Sequence, residues 1–286
     1  MPHWQTSRYR IDLARPQVMG IVNITPDSFS DGGTYANTQA ALAHCEALIK
    51  AGADILDLGA ESTRPGAQPL QQAQELDRLL PVLRAAVTLG VPISVDTYKP
   101  DVMQAALDVG ADIINDIWAL RWVSSENELS GRNVVSAHPS CGVCLMHMHG
   151  NPQTMQLSPM EGDIVAPVRD FLLQAAQALL DQGVDKARIC IDPGIGFGKT
   201  VEQNFSLLAQ QVALADTGFA LLAGWSRKSS LGAVTGAAPG DRLVSSAVAA
   251  VLTVQNGARI VRVHDVQATV QAVCVLSAMQ AATNSE

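Results

Sequence analysis

The chain is short of positive charge. Its 286 residues carry 19 Lys and Arg against 27 Asp and Glu, a net charge of −8. The basic residues are scattered singly, which leaves no basic face for a nucleic-acid backbone, so an anionic ligand is expected to be held by a few local groups. No apolar run approaches the roughly 18 residues of a membrane span, and Met1 to Ile11 (MPHWQTSRYRI) lacks an apolar signal core. Nucleic acid and membrane are therefore not expected partners, and the expected location is cytoplasmic.

Cysteine and histidine are also sparse. Five cysteines, an odd number, argue against a disulfide framework. Cys141 and Cys144 form a CxxC pair, but CGVCLM reads as a strand, where residues three apart face opposite ways. Buried thiols are expected there, not zinc or redox chemistry. His147-Met148-His149 has the HxH spacing of metal-dependent barrel hydrolases, yet there are six His in all, and His3, His44 and His138 lie away from the strand ends. A zinc cage is not expected, and both imidazoles read as supporting hydrogen bonders. Gly194 to Thr200 (GIGFGKT) is neither a P-loop, which needs Gly where Pro193 stands, nor a GxGxxG fingerprint. Its glycines would let backbone approach a flat ligand, with Phe197 offering a face to that ligand or plugging the core beneath.

What the sequence does contain is strand after strand ending in polar residues. Val18 to Val22 is a short β-branched run that empties at Asn23 into the polar stretch ending in Gly32-Gly33. Similar runs are Ile55–Leu58, Val91–Val95, Ile113–Ile114, Val143–Met146, Ile189–Ile191, Ala220–Ala223 and Arg259–Val263. Amphipathic helical patterns alternate with them: Thr38–Ala51, Leu70–Leu89, Pro100–Val109, Asp163–Gln182, Val201–Leu214, Asp241–Gln255 and Val266–Ala281. Gly52, Gly90, Gly110, Gly183 and Gly257 stand as helix C-caps. With no composition break, residues 1–286 read as a single α/β domain, a (β/α)8 TIM barrel, with a doubly wound open sheet as the alternative. Trp118 to Ser140 has poor periodicity, and Ser124 to Arg132 reads as loop.

The strand ends are Asn23, Glu61-Ser62-Thr63-Arg64, Asp96, Asn115-Asp116, His147 and His149, Asp192, Ser226-Arg227-Lys228, and Arg262 with His264. In a barrel they converge on one rim. Asp96, Asn115, Asp192 and Lys228 suit the edge of a polar heterocycle, unless Asp96 caps the next helix and Asp192 sits in an Asp-Pro turn. Thr63, Arg64, Arg262 and His264 suit phosphate oxygens, unless the arginines pair with neighbouring carboxylates. Trp118, Trp122 and Trp225 read as packing.

MGIVNITPDSFSDGG, DLGAESTRPGA, ISVDTYKP, GADIINDI, CLMHMHGNPQTMQ, IDPGIGFGKTVEQN, LAGWSRKSSLG and RVHDV, in this order over nearly the whole chain, resemble the dihydropteroate synthase family. The resemblance implies a transferase of folate biosynthesis. It would join 6-hydroxymethyl-7,8-dihydropterin diphosphate to 4-aminobenzoate, giving 7,8-dihydropteroate and diphosphate. It further implies that Asp96, Asn115, Asp192 and Lys228 bind the pterin and that Asn23 coordinates Mg2+. Thr63, Arg262 and His264 would hold the diphosphate, with the 27–33 and 63–66 loops closing over the site. Phe29 and Pro65 would line the aminobenzoate pocket beside Ser226 and Lys228, and a homodimer is implied. A folate-dependent methyltransferase and a catalytically silent pterin-binding barrel are the alternatives.

Overall fold

The computed structural model describes residues 2–24, 33–62, 67–124 and 128–283. The chain begins with a hairpin the sequence pattern did not announce, β1 (His3–Gln5) and antiparallel β2 (Arg10–Asp12). Its three-residue strands are too short to carry a readable period.

Eight parallel strands then close a barrel: β3 (Gln17–Asn23), β4 (Ile55–Gly59), β5 (Ile93–Asp96), β6 (Ile113–Asp116), β7 (Gly142–Met146), β8 (Ile189–Asp192), β9 (Ala220–Ala223) and β10 (Ile260–Val263). They follow one another in sequence order, and β10 returns to β3 with Ile260 opposite Gln17 and Val263 opposite Gly20. All eight runs read from the sequence are these strands, and the open sheet is excluded.

The two-residue alternation of each strand decides what fills the barrel. Met19, Ile55, Ile113, Cys144, Cys190, Leu222 and Ile260 form an apolar floor with Trp4, Ile11 and Leu13 of the hairpin segment. Trp4 is fully buried and its indole N–H donates to the Arg188 carbonyl at 2.9 Å. Asp112 fixes the hairpin from the barrel side, accepting from Nε and Nη2 of Arg8 at 2.9 and 2.6 Å and from the Ile93 amide at 2.9 Å. Two residues further along β4, β6, β8 and β10 the inward positions are Asp57, Asn115, Asp192 and Arg262. The interior therefore turns from apolar to polar and charged toward the carboxyl ends.

Helices wrap the outside: α1 (Gly33–Lys50), α2 (Gln72–Ala86), α3 (Pro100–Val109), α4 (Gly131–Ala137), α5 (Val165–Leu180), α6 (Val201–Ala209), α7 (Val212–Ala215), α8 (Ser229–Thr235), α9 (Leu243–Gln255) and α10 (Val266–Thr283). The five glycines read as C-caps take left-handed φ angles between 79° and 109°. Cys141 and Cys144 fall in different core clusters, as their strand spacing requires, and all five cysteines are free.

Three helix readings need correction. Val201 to Leu214 is two helices, because the buried Gln211 side chain turns to donate to the Thr253 carbonyl at 2.7 Å and the Asn256 carbonyl at 3.3 Å. The stretch after Trp118 contains α4, whose N-cap Ser130 accepts from the Asn133 amide at 3.2 Å. Helix α8 was also unforeseen, being only 7 residues long. Among the described residues no helix is long and apolar enough to cross a membrane.

Candidate active site

At the carboxyl mouth of the barrel the inward side chains form one connected network. Arg262 on β10 donates from Nε to Asp57 at 2.6 Å and from Nη2 to Asp96 at 2.7 Å, bridging β4 and β5 across the interior. Asn115 on β6 donates to the same Asp57 oxygen at 3.1 Å. The sequence reading offered pterin or phosphate roles against plain ion pairing. In the ligand-free chain Asp96 and Arg262 are an ion pair, and Asp96 does not cap α3, whose N-cap is Lys99.

Asp192 ends β8 and accepts from the Gly194 amide at 2.7 Å, so the Asp-Pro turn foreseen is formed. Its charge still faces Lys228 and Arg262. Lys228 closes the circle: its Nζ lies 4.3 Å from the centre of the Phe197 ring. Phe197 is buried among Tyr98, Ile117, Met146, Met148 and Met155, so it plugs the core and presents a face to Lys228 at once. Ser226 accepts from the His264 amide at 3.1 Å, leaving its hydroxyl proton for Nδ1 of that ring at 2.9 Å. The ring proton of neutral His264 is then on Nε2. Asn23 lies at the end of β3 opposite Gly59.

Burial sets the protonation states. It pushes Asp96 up to about 7 against the pull of Arg262, and it raises Asp192 as well. Burial and Arg262 bring Lys228 down to about 8, while burial and the same guanidinium push His264 to about 3. Burial works against the charge on Arg262, but Asp57 and Asp96 together hold it protonated above its usual range. Neutral His264 is thus a hydrogen-bond donor rather than a second cation, and Arg262 is the fixed positive charge of the site.

Several strand-end residues do not join the network. Phe29, Thr63, Arg64 and Pro65 lie outside the described residues. Asp116 faces away from the barrel and accepts from the Trp118 and Leu120 amides at 2.8 and 2.6 Å, which bends the chain into positive φ at Ala119 and Leu120. Arg227 turns outward to Asp265 at 2.7 Å. The expectation that His147 and His149 support the site by hydrogen bonds does not hold. Nδ1 of His147 is buried with no hydrogen-bond partner among the described residues, its ring packs edge-on against Phe171, and burial with Lys199 and Arg121 pushes it to about 2. His149 is exposed. Trp225 packs on Phe205 as expected.

Sequence reasoning passed over Asp57, a fully buried carboxylate that holds both Arg262 and Asn115. A lone Asp at an inward position of the apolar strand ILDLG was the available signal. It also missed Lys99, whose ammonium contacts the carboxylates of both Glu61 and Glu75 while Tyr98 donates to Glu61 at 3.1 Å. This buried cluster stands beside a rim cavity of about 340 Å³ walled by Tyr98, Trp118 and Trp122. Trp118 and Trp122, with ring centres 5.6 Å apart, pack together as read.

Residues 19–264 match the family described as pterin binding enzyme. A dihydropteroate synthase of Neisseria meningitidis serogroup B (strain ATCC BAA-335 / MC58) is 46% identical over 282 residues, covering 96% of this chain and 97% of that protein. The chain belongs to the dihydropteroate synthase family. A crystal structure of the Burkholderia cenocepacia dihydropteroate synthase complexed with 7,8-dihydropteroate superimposes with a TM-score of 0.89 at 47% identity, covering 99% of this chain and 98% of that one. The Xanthomonas albilineans dihydropteroate synthase with 4-aminobenzoic acid gives 0.87 at 46% identity, covering 95% and 96%. Membership in a dihydropteroate synthase family makes the chain a transferase.

Proposed function

We propose that the rim network performs the family's condensation in this chain. 6-Hydroxymethyl-7,8-dihydropterin diphosphate and 4-aminobenzoate give 7,8-dihydropteroate and diphosphate, with residues 1–286 acting as one pterin-binding domain. The observation that carries the residue roles is the position of Arg262. It joins a ring-sized group of donors and acceptors, Asp96, Asn115, Asp192 and Lys228, to the donor edge of His264, whose ring Ser226 orients through Nδ1. A heterocycle on one side and an anionic tail on the other match that division.

Asp96, Asn115 and Asp192 take the N–H edge of the ring, Lys228 donates to a ring acceptor, and Phe197 packs beside it. Arg262 keeps Asp57 through Nε and turns its remaining N–H groups, with His264 Nε2–H, to the diphosphate. The bond between the exocyclic methylene carbon and the diphosphate oxygen breaks, its electron pair leaving with diphosphate. Positive charge spreads into the ring, where the carboxylates of Asp96 and Asp192 stabilise it. The amine lone pair of 4-aminobenzoate forms the new carbon–nitrogen bond and its proton passes to solvent or diphosphate. Water would capture the same cation, so the site must be covered during reaction. The resemblance assigns that covering to residues 27–33 and 63–66, with Thr63 on the diphosphate and Phe29 and Pro65 on the aminobenzoate; Arg64 adds a charge suited to phosphate oxygens.

Mg2+ fits this donor set as a substrate-borne ion. Among the described residues no group of three or more His, Cys, Asp or Glu could hold a metal, and the Asn23 side chain has no hydrogen-bond partner there. One neutral oxygen from Asn23 suits an ion held chiefly by phosphate oxygens and water. When bound, it neutralises charge on the leaving group.

The proposed assembly is a homodimer through α9 and α10, which pack on one another and expose Val244, Val248, Leu252, Val275 and Met279. Cytoplasmic location is supported by five free cysteines, four of them buried.

The test is diphosphate release by the purified chain with Mg2+ and pterin diphosphate. Release that requires 4-aminobenzoate and yields 7,8-dihydropteroate supports the reading. Binding of pterin diphosphate without turnover, or methyl transfer from a reduced folate, overturns it.

A further inference from the structure

Lys199 is the one ionisable residue of the Gly194–Thr200 segment, and the reaction above does not use it. It is 3% exposed, and its Nζ donates to three backbone carbonyls, Gly194 at 2.8 Å, Phe197 at 3.0 Å and His147 at 3.3 Å. Among the described residues no carboxylate lies within salt-bridge distance of it. A buried ammonium satisfied only by carbonyl oxygens is costly, and it is retained where those carbonyls need a common donor. Here they come from two pieces of backbone, the end of β7 and the loop after β8.

Those two pieces are in unusually close contact. A Cβ at Gly194 would collide with the His147 carbonyl, and one at Gly198 would come within 2.6 Å of the His149 carbonyl. Both glycines have positive φ, 67° and 70°. The carbonyl oxygens of Gly194, Phe197 and His147 converge on one point, where they repel one another unless a cation sits among them. The loop so fastened carries Phe197, against which Lys228 rests, and the Gly194 amide that fixes Asp192.

We infer that Lys199 is a positioning residue for the reaction: its ammonium pins the Gly194–Gly198 loop to the end of β7 and sustains the charge of Asp192 on the pterin side of the site. The inference rests on the pterin-site reading above. Asp192 is faced by Lys228, by Arg262 from β10 and by Lys199, and all three favour its ionised form against burial. Lys199 itself is faced by Asp192, which favours its charge, and by Lys228, which opposes it, with the His147 ring alongside. Burial brings Lys199 to about 7, so the pin weakens as pH rises through neutrality.

The experiment compares wild type, Lys199→Met and Lys199→Arg by steady-state kinetics and by the pH dependence of pterin diphosphate binding. Lys199→Met is expected to raise KM for the pterin about tenfold or more, with a smaller change for 4-aminobenzoate. Its acid limb moves to higher pH as Asp192 loses a cation, and Lys199→Arg restores that limb. Lys199→Met with wild-type pterin KM and an unmoved acid limb overturns the inference, as does an equal loss for both substrates. Should Lys199→Met not fold, amide exchange in wild type decides. Protection confined to residues 194–198 is expected to fall from about pH 6 to about pH 9 after correction for intrinsic exchange, and unchanged protection overturns the inference. Wild-type turnover in the same assay tests the function separately, so failure of either is recognisable.

Discussion

At the residue scale, the site is a contest between burial and charge that Arg262 only partly settles. Asp96 stands at about 7 in the fold against an ordinary carboxylate value near ~3.9. Because the folded form holds that proton more tightly than the unfolded chain does, this residue makes stability fall as pH rises from about 4 to about 7. Asp96→Asn is expected to flatten that slope in ligand-free protein, as measured by denaturant unfolding at several pH values, with the part due to Asp116 remaining. In the proposed reaction the same substitution removes the negative charge set against developing ring charge, and it is expected to lower kcat/KM by about 10²-fold or more. Lys228 loses its proton above about 8, so activity should decline on that alkaline side. Lys228→Arg, unable to deprotonate, should carry the decline to higher pH if any activity remains, and a pH–rate profile reads this directly.

At the element scale, a buried polar cluster holds together the segments after β4 and β5. Lys99, at the N-cap of α3, joins Glu61 beyond β4 to Glu75 of α2. Lys99→Met would leave two carboxylates facing each other without their cation. A loss of about 3 kcal/mol is expected by denaturant titration, the usual scale for removing one partner of a buried pair. Lys99→Met of wild-type stability would show that the cluster is solvated rather than structural. The barrel strands and most long helices were legible because each is long enough to show its own period. Helices α4 and α8 were not: with 7 residues each they show two turns at most, too few for a period. Gln211 broke a helix that the local pattern runs straight through, for the sake of carbonyls on α9.

At the scale of the whole molecule, the barrel is stoppered at its amino-terminal end by Trp4, Ile11 and Leu13. Trp4→Ala, emptying a fully buried site, is expected to destabilise the chain by about 3–5 kcal/mol while leaving the substrate KM values unchanged at temperatures where it stays folded. The exposed stripe Val244, Val248 and Leu252 has the four-residue spacing of one helix face. Val248→Glu is expected to convert a dimer into monomers by light scattering, and an unchanged mass would remove α9 from the interface.

The sequence by itself determined the eight barrel strands, their alternation with helices and the polar character of each barrel-strand end, because these are local properties of period and composition. It also determined the family, through motifs spread over nearly the whole chain. It did not determine which polar ends point inward: Asp116 and Arg227 carry the same chemistry as their neighbours, yet one step of strand alternation or one backbone turn sends them outside. Only closure of the barrel put Asp57, Asp96, Asn115 and Arg262 within hydrogen-bond reach. That contact joins residues as many as 205 positions apart, and its strength depends on a buried surrounding that no stretch of sequence contains.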